Sequence, residues 1–211
     1  MIKLHCFGES GNAYKAALTL ELSGAEWEPV FVDFFNGASR SAEFRALNVM
    51  GEVPVMEDGD LVLTQSGVIQ DYVSSKTGKL GGRSAAERRD ILRWMFFDNH
   101  KVSGVAGPLR FNMNFLPEDK RNADVNAFLS MRLQSALKIM ETQLGETPYL
   151  TGDDLTIADI ASRLRLKYSG PRFIGSQPTS RISRAPGISR GAGRPDARPD
   201  RPERRRRRPC G

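Results

Sequence analysis

The first candidate chemistry in this chain lies at the start of a predicted helix. Ile2–Phe7 is a short run of strand type, and Ser10-Gly11-Asn12-Ala13 comes after it with residues typical of a helix start. Ser10 and Asn12 can each donate a hydrogen bond to an anion there, where the helix dipole also favours negative charge. Lowering a thiol pKa by two units requires about 2.7 kcal/mol. One charge-assisted hydrogen bond and a helix end can provide that for a bound thiolate.

The same two side chains have a purely structural alternative, which is to cap the helix without binding a ligand. Other reactive residue types are sparse and scattered. Cys6 and Cys210 lie at opposite ends of the chain, and His5 and His100 are isolated. They provide no disulfide framework and no metal-ligand spacing, so we expect no bound metal. Cys6 is interpreted as a small buried apolar residue of the first strand.

Further elements must position Ser10 and Asn12, and their predicted order is β-α-β-α-β-β-α. After the first strand and helix these are Val30–Val32, Ser41–Leu47, Val53–Met56, Leu61–Leu63 and Ser66–Thr77. This order belongs to the thioredoxin-like class, whose redox members carry Cys-x-x-Cys after the first strand. Ser10-Gly11-Asn12-Ala13 contains no thiol, so a dithiol exchanger is excluded at this site.

The second segment is predicted to be helical. Ala85–His100 and Asp124–Leu144 carry apolar stripes at helical spacing, and Gly104, Gly107 and Pro108 predict a break or bend between them. Thr156 and Asp159 form a capping-box pattern that predicts another helix start, with Leu155 and Ile160 as a hydrophobic staple. We therefore expect a domain at 1–78, a linker at 79–84 and a helical domain at 85–162.

Four motifs in sequence carry a resemblance to a known family. Ser10-Gly11-Asn12-Ala13-Tyr14-Lys15, Val53-Pro54-Val55 and Gln65-Ser66 resemble the glutathione-site motifs of soluble bacterial glutathione transferases. Thr156-Ile157-Ala158-Asp159-Ile160 resembles the capping motif of that family's helical domain. The resemblance extends from Met1 to about Ala161. It implies an α/β thioredoxin-like N-terminal domain followed by an all-α C-terminal helical domain.

The resemblance also gives each motif a role. Pro54 would follow a cis peptide bond, which lets the Val53 backbone pair antiparallel with the cysteinyl part of glutathione. Gln65 and Ser66 would hold the γ-glutamyl carboxylate, while Ser10 or Asn12 would contact the sulfur. Ser10 is slightly preferred as a hydroxyl donor. From the residues alone, an edge-strand proline and simple helix capping remain alternatives.

One residue departs from the family pattern. Glu52 precedes Val53, where the family often has a basic or neutral polar side chain near the glycine carboxylate of glutathione. A carboxylate at that position would repel the glycine carboxylate unless it points away. We therefore expect Glu52 to weaken glutathione binding more than it affects the fold.

The implied activity is conjugation of glutathione to a hydrophobic electrophile, or thiol–disulfide chemistry through glutathione. The sequence offers an aromatic and Met-rich face for the electrophile, although packing in a helical core is the preferred interpretation for most of its residues: Trp94, Phe97, Phe111 and Met113. The family implies a homodimer. No apolar run is long enough to span a bilayer, so a cytoplasmic protein is expected. A non-catalytic binding module with the same fold is the alternative.

The composition changes abruptly after Ser162. Residues 1–162 contain 16 Lys and Arg against 22 Asp and Glu, whereas residues 163–211 contain 15 against 3. This stretch is rich in Arg, Pro and Gly and has no amphipathic period, which indicates a disordered or non-native end and an incomplete helical domain. A basic tail that binds nucleic acid is one interpretation. The abrupt loss of periodicity favours the other, a translated frameshift of a GC-rich gene.

Overall fold

The computed structural model describes the backbone of residues 1–168 and the side chains of residues 1–162. Both expected domains, 1–78 and 85–162, lie within this described part of the chain. Three predictions concern the Arg-rich end, and they are disorder, a shifted reading frame and nucleic-acid binding. They fall on residues 163–211, whose side chains the structure does not describe.

The first part of the chain has the predicted element order. Its elements are β1 Ile2–Cys6, α1 Gly11–Ser23, β2 Trp27–Phe31, α2 Ala42–Leu47, β3 Val55–Asp58, β4 Leu61–Thr64 and α3 Ser66–Thr77. Two short 3₁₀ turns, Phe34–Asn36 and Ala38–Arg40, separate β2 from α2. The strands form one mixed sheet in the order β2-β1-β3-β4. The β1–β2 pair is parallel, whereas β1–β3 and β3–β4 are antiparallel.

Both faces of this sheet are covered. On one face, Leu4 of β1 packs with Leu20 of α1 and Ile69 of α3, and none of the three is accessible to solvent. On the other face, Val55 packs with Val32 and with Phe44 of α2. Alternating side chains of a strand point to opposite faces, so Leu4 and its neighbour His5 belong to different layers. The result is the predicted thioredoxin-like α/β domain.

Helices form the second part of the chain, as predicted. They are α4 Ala85–Phe97, a π-helical turn Asp98–Ser103, α5 Gly104–Asn114, a 3₁₀ turn Glu118–Lys120, α6 Ala123–Glu146 and α7 Ile157–Tyr168. Trp94 of α4, Leu109 of α5 and Met140 of α6 meet in their common core.

A break or bend is predicted at Gly104, Gly107 and Pro108, and no break occurs because the helix continues through these residues. The π-helical turn leads directly into α5, and Pro108 lies inside α5. Gly104 N–H donates to the Asn99 carbonyl in the wider π pattern, and a Cβ at Gly104 would lie 2.9 Å from that oxygen. A glycine therefore permits the wide turn instead of ending the helix.

The predicted start of α7 is confirmed. Thr156 precedes the helix, and the Asp159 carboxylate accepts hydrogen bonds from Thr156 N–H at 2.9 Å and from Leu150 N–H at 2.8 Å. The carboxylate thus satisfies one of the free N–H groups at the helix start. The backbone helix continues to Tyr168, past the expected domain boundary at residue 162. None of the helices in the described region is long and apolar enough to cross a membrane.

Candidate functional site

The turn between β1 and α1 holds Ser10 as the N-cap of α1. Its Oγ accepts a hydrogen bond from Ala13 N–H at 3.2 Å. The capping alternative is therefore realised, but it uses only the acceptor side of the hydroxyl. A serine hydroxyl that accepts one hydrogen bond still has its own hydrogen to donate. Ser10 can thus cap the helix and at the same time donate to an anion at the helix N-terminus.

Asn12 lies exposed in the first turn of α1 and lines a cavity of about 370 Å³. Gln65 and Ser66, at the start of α3, line the same cavity. Three of the predicted site residues, from two separate motifs, therefore lie together. Both motifs also lie at the N-terminus of a helix. The unpaired backbone N–H groups in the first turns of α1 and α3 therefore favour a bound anion.

Gln65 has a positive φ of 67° and directly precedes α3. A non-glycine residue in this region is uncommon and is often held there by surrounding structure at a functional site. The exposed Gln65 amide donates to Met50 Sδ at 3.1 Å. The backbone conformation presents the amide at the rim of the cavity rather than as a helix cap, since no capping hydrogen bond is made.

Val53 and Pro54 precede β3 and are both buried. The peptide bond between them is cis, as the family resemblance implied. In the described region, no group forms a hydrogen bond with the N–H or carbonyl of Val53. Val53 therefore has backbone groups available for pairing with an extended peptide. Neither residue lines the cavity itself.

Glu52 has an exposed side chain, while its carbonyl accepts a hydrogen bond from the Asn48 amide. No basic side chain in the described region pairs with its carboxylate within 4.0 Å. Its negative charge therefore remains uncompensated beside Val53.

Most residues of the candidate electrophile face pack in the helical core, which is the interpretation preferred from the sequence. Trp94 is only 3% exposed, and Phe97 and Met113 pack against the same helical core. Only Phe111 of that set is on the surface, at 52% exposed. The apolar stripes of α4 and α5 face the core because their helices pack on α6 and α7, which is a tertiary outcome.

A different aromatic cluster lies beside Ser10. It consists of Phe7, Phe34, Phe35, Phe111 and Phe115, and we call it the aromatic cluster. The Phe7 and Phe34 rings stack at 4.5 Å, while the Phe35 and Phe115 centroids are 5.8 Å apart. The cluster thus joins the turn after β2 to α5.

Arg110 connects this aromatic cluster to the β1–α1 turn. Its Nη1 donates to the Glu9 carbonyl at 2.9 Å, and its guanidinium lies 5.5 Å from the Phe115 ring centroid. Glu9 is the neighbour of Ser10, so the aromatic surface adjoins the serine. The sequence signal was the Phe34-Phe35 pair in a polar turn, which is unusual for a surface loop.

Other reactive groups do not form a site. Cys6 is partly buried against the core of the sheet, and burial raises the pKa of its thiol above the ordinary value. This supports its interpretation as a packing residue. Within the described region, no group of three or more His, Cys, Asp or Glu side chains could hold a metal ion.

Sequence reasoning missed a buried ion pair beneath the cavity. Lys15 of α1 lies 2.6 Å from Asp98 in the π-helical turn, and both side chains are 3% exposed. A signal existed in the spacing of Lys15, Thr19 and Ser23, which recur every four residues on α1 and are all buried. Polar residues at this spacing are normally interpreted as a solvated helix face, so the pattern alone does not predict burial.

Comparison with known proteins points to one family. A family model described as the N-terminal domain of glutathione S-transferase matches residues 2–75. Glutathione S-transferase 3 of Zea mays is 32% identical over 165 residues, covering 75% of this chain and 73% of the maize protein. Glutathione S-transferase F14 of Arabidopsis thaliana is 32% identical over 166 residues, 75% of this chain but only 65% of the Arabidopsis protein.

A solved structure supports the likeness over both parts of the chain. It is a glutathione transferase from Burkholderia graminis with two glutathione molecules bound per subunit. It matches with a TM-score of 0.80 and 25% identity, over 87% of this chain and 81% of that one. The sequence likeness to the maize protein extends well beyond the first domain. This chain therefore belongs to the glutathione transferase family.

Proposed function

We propose that this chain binds glutathione at the N-termini of α1 and α3, stabilises its thiolate through Ser10, and conjugates it to an electrophile. The observation that carries this proposal is the shared cavity lined by Asn12, Gln65 and Ser66. Next to it, Ser10 at the N-terminus of α1 retains a hydroxyl hydrogen for donation. Family membership supports an enzymatic function over a non-catalytic binding module.

The bound glutathione would contact the chain at three places, which are the start of α3, the backbone of Val53 and the start of α1. The γ-glutamyl carboxylate accepts hydrogen bonds from Ser66 and Gln65 at the start of α3, where the helix dipole favours an anion. The cysteinyl backbone pairs with the free backbone groups of Val53. This direction brings the sulfur towards α1, where Ser10 and Asn12 are the two candidate donors.

In the reaction, Ser10 O–H donates a hydrogen bond to the sulfur and favours the thiolate over the thiol. The thiol proton passes to solvent. The thiolate then attacks an electrophilic carbon, a C–S bond forms, and the leaving group departs with the electron pair of the broken bond. The helix N-terminus acts on the same charge, so both effects lower the thiol pKa.

The aromatic cluster is the proposed electrophile site. Phe35 and Phe111 are 60% and 52% exposed and lie next to Ser10 through the Arg110–Glu9 hydrogen bond. Exposed aromatic rings provide a large apolar contact area for a hydrophobic substrate. The electrophile would thus meet the sulfur at the boundary between the sheet domain and α5.

Absorbance of the bound thiolate against pH tests the proposal. We expect the wild type to lower the glutathione thiol pKa by about two units, and Ser10→Ala to reverse about half or more of this shift. Asn12→Ala should have the smaller effect, because Ser10 is the preferred donor. An unshifted thiol pKa in the wild type would contradict the mechanism.

Thiol–disulfide chemistry through glutathione is a second candidate. The observation in its favour is the Burkholderia graminis transferase, which binds two glutathione molecules per subunit. Two glutathione thiols would reduce one disulfide substrate to two thiols and become glutathione disulfide, so two electrons are transferred. Glutathione consumption with a small disulfide and with chlorodinitrobenzene, measured side by side, distinguishes the two activities.

We further propose a cytoplasmic homodimer, in keeping with the family resemblance. Matching relatives come from plants as well as bacteria, so a bacterial source stays a prediction. Exposed apolar side chains on α3 and α4 provide a surface for a second copy, and they are Val68, Leu92 and Phe96.

A further inference from the structure

A buried polar cluster joins α1 to the helical part of the chain. Lys15 Nζ donates to Asp98 Oδ2 at 2.6 Å and to Ser103 Oγ at 2.7 Å. Ser103 Oγ donates in turn to Asp98 Oδ2 at 2.6 Å. We call these three residues the lysine cluster. Lys15 and Asp98 are separated by 83 positions in sequence, so only tertiary packing brings them together.

The π-helical turn is the element that supplies both partners of Lys15. Asp98 and Ser103 are the first and last residues of this turn, and both are buried. In a regular α-helix, residues five positions apart do not share a face, whereas the wider π turn brings them into line. The unusual turn thus builds the lysine cluster.

The lysine cluster adjoins the proposed glutathione site. Lys15 lies three positions after Asn12 on α1, so the two side chains share a helix face. Both line the cavity that contains Gln65 and Ser66, and Asp98 lines it as well. A shift of Lys15 would therefore move the first turn of α1 relative to the cavity.

Burial makes this arrangement costly unless every partner is present. Asp98 Oδ1 has no hydrogen-bond partner among the described residues, so the carboxylate depends on Lys15 and Ser103 for its compensation. An apolar pair of similar size is often as stable as a buried ion pair. Stability alone therefore does not account for the charges at this position.

We propose that Lys15, held by Asp98 and Ser103, is a positioning residue that fixes the first turn of α1 and Asn12 for glutathione binding. The helical part of the chain thereby controls the geometry of the glutathione site. The inference rests on the proposed function, since it concerns the same site.

A charge-removal cycle tests this role. The variants are Lys15→Met, Asp98→Leu and the double variant, each measured for melting temperature, glutathione dissociation constant, kcat/KM for glutathione and thiolate absorbance against pH. Lys15→Met alone should lose stability, because it leaves a buried carboxylate without its cation. The double variant should recover most of the melting temperature. Its kcat/KM for glutathione should nevertheless remain lowered by at least about 10-fold, within the roughly 100-fold loss that misplacement can cause.

If Lys15 and Asp98 only stabilise the fold, the double variant should behave differently. If the double variant regains kcat/KM and the thiol pKa of bound glutathione together with its melting temperature, the positioning role is overturned. If the double variant does not fold, Ser103→Ala decides the matter, with Ser23→Ala as control. Ser23 is likewise a buried serine, on α1, and its Oγ donates to the Leu20 carbonyl at 2.9 Å. Ser103→Ala should weaken glutathione binding several-fold more than Ser23→Ala, and equal effects overturn the inference.

The outcomes separate the two proposals. A wild-type protein without thiolate absorbance overturns the proposed mechanism, and the glutathione dissociation constants then decide the positioning role. A wild type that forms the thiolate, with unchanged absorbance and affinity in folded variants, overturns only the role of Lys15.

Discussion

At the scale of the residue, Ser10 combines two hydrogen-bonding roles in one hydroxyl group. Its oxygen accepts from Ala13 N–H, and its hydrogen remains for the proposed hydrogen bond to the glutathione sulfur. Asn12 instead lines the cavity with Gln65 and Ser66. We therefore propose that Ser10 lies at the electrophile side of the site and Asn12 towards the γ-glutamyl side.

Phe35→Ala tests the aromatic cluster. Its ring contacts both Phe7 and Phe115, so its removal opens the middle of the surface. We expect kcat/KM for chlorodinitrobenzene to fall about 10-fold, which corresponds to roughly 1.4 kcal/mol of lost aromatic contact. KM for glutathione should stay unchanged. Phe31→Ala is the control, because Phe31 is 75% exposed on the edge strand β2. Equal losses in both variants would argue against the cluster as the electrophile site.

Glu52→Gln tests the one departure from the family pattern. Removing an uncompensated carboxylate near the proposed glycine carboxylate should tighten glutathione binding by about two- to five-fold, since exposed charge pairs contribute roughly 0.2–1 kcal/mol. Titration calorimetry at low salt measures this effect, and added salt should reduce it. Asp60→Asn, at an exposed position in the β3–β4 turn, should leave the affinity unchanged. If Glu52→Gln also leaves it unchanged, Glu52 points away from the ligand.

At the scale of the element, the C-terminal half of α3 is held to the β3–β4 hairpin by a charged network away from the site. Asp58 of β3 pairs with Lys76 and accepts a hydrogen bond from Tyr72 O–H at 2.7 Å. The Lys76 and Tyr72 hydrogen bonds hold the pKa of the Asp58 carboxyl below its usual range. This network connects α3, which carries Ser66, to the sheet.

Asp58→Asn should therefore change stability in a pH-dependent manner. A carboxyl whose pKa is lower in the folded state stabilises the fold above its unfolded pKa of about 4 and loses that contribution as the pH falls through the folded value. The free energy of unfolding of the wild type should exceed that of Asp58→Asn at pH 7. The difference should shrink towards pH 2. Chemical denaturation at several pH values measures it, with Asp60→Asn as control, and a constant difference would contradict the linkage.

At the scale of the whole molecule, the surface formed by α3 and α4 is the proposed dimer interface. Val68 is 51% exposed, Leu92 42% and Phe96 70%, and all three also line the cavity of the proposed glutathione site. Contiguous exposed apolar side chains of this kind mark association surfaces. A second copy on this surface would lie next to the glutathione site of the first.

Phe96→Glu should shift the proposed dimer towards monomer, because it places a charge in an apolar interface. Light scattering after size-exclusion chromatography measures the molecular mass. Phe128→Glu on α6 is a suitable control, since Phe128 is 52% exposed outside this surface. A wild type that is monomeric at all concentrations would rule out the dimer, and equal effects of both variants would place the interface elsewhere.

The sequence by itself determined the order of elements, the start of α7 and the absence of a thiol at the β1–α1 turn. These features depend on neighbouring residues, such as the Thr156 and Asp159 cap, so short-range patterns suffice to predict them. The family resemblance added the cis peptide bond before Pro54.

Tertiary structure alone decided which aromatic and charged side chains lie beside the predicted site residues. It buried Trp94 and left Phe35 exposed beside Ser10, although both are aromatic residues in the sequence. It also paired Lys15 with Asp98 across the chain, where the local pattern predicts a solvated lysine. Such contacts depend on how helices pack over the sheet, and neither composition nor spacing contains that information.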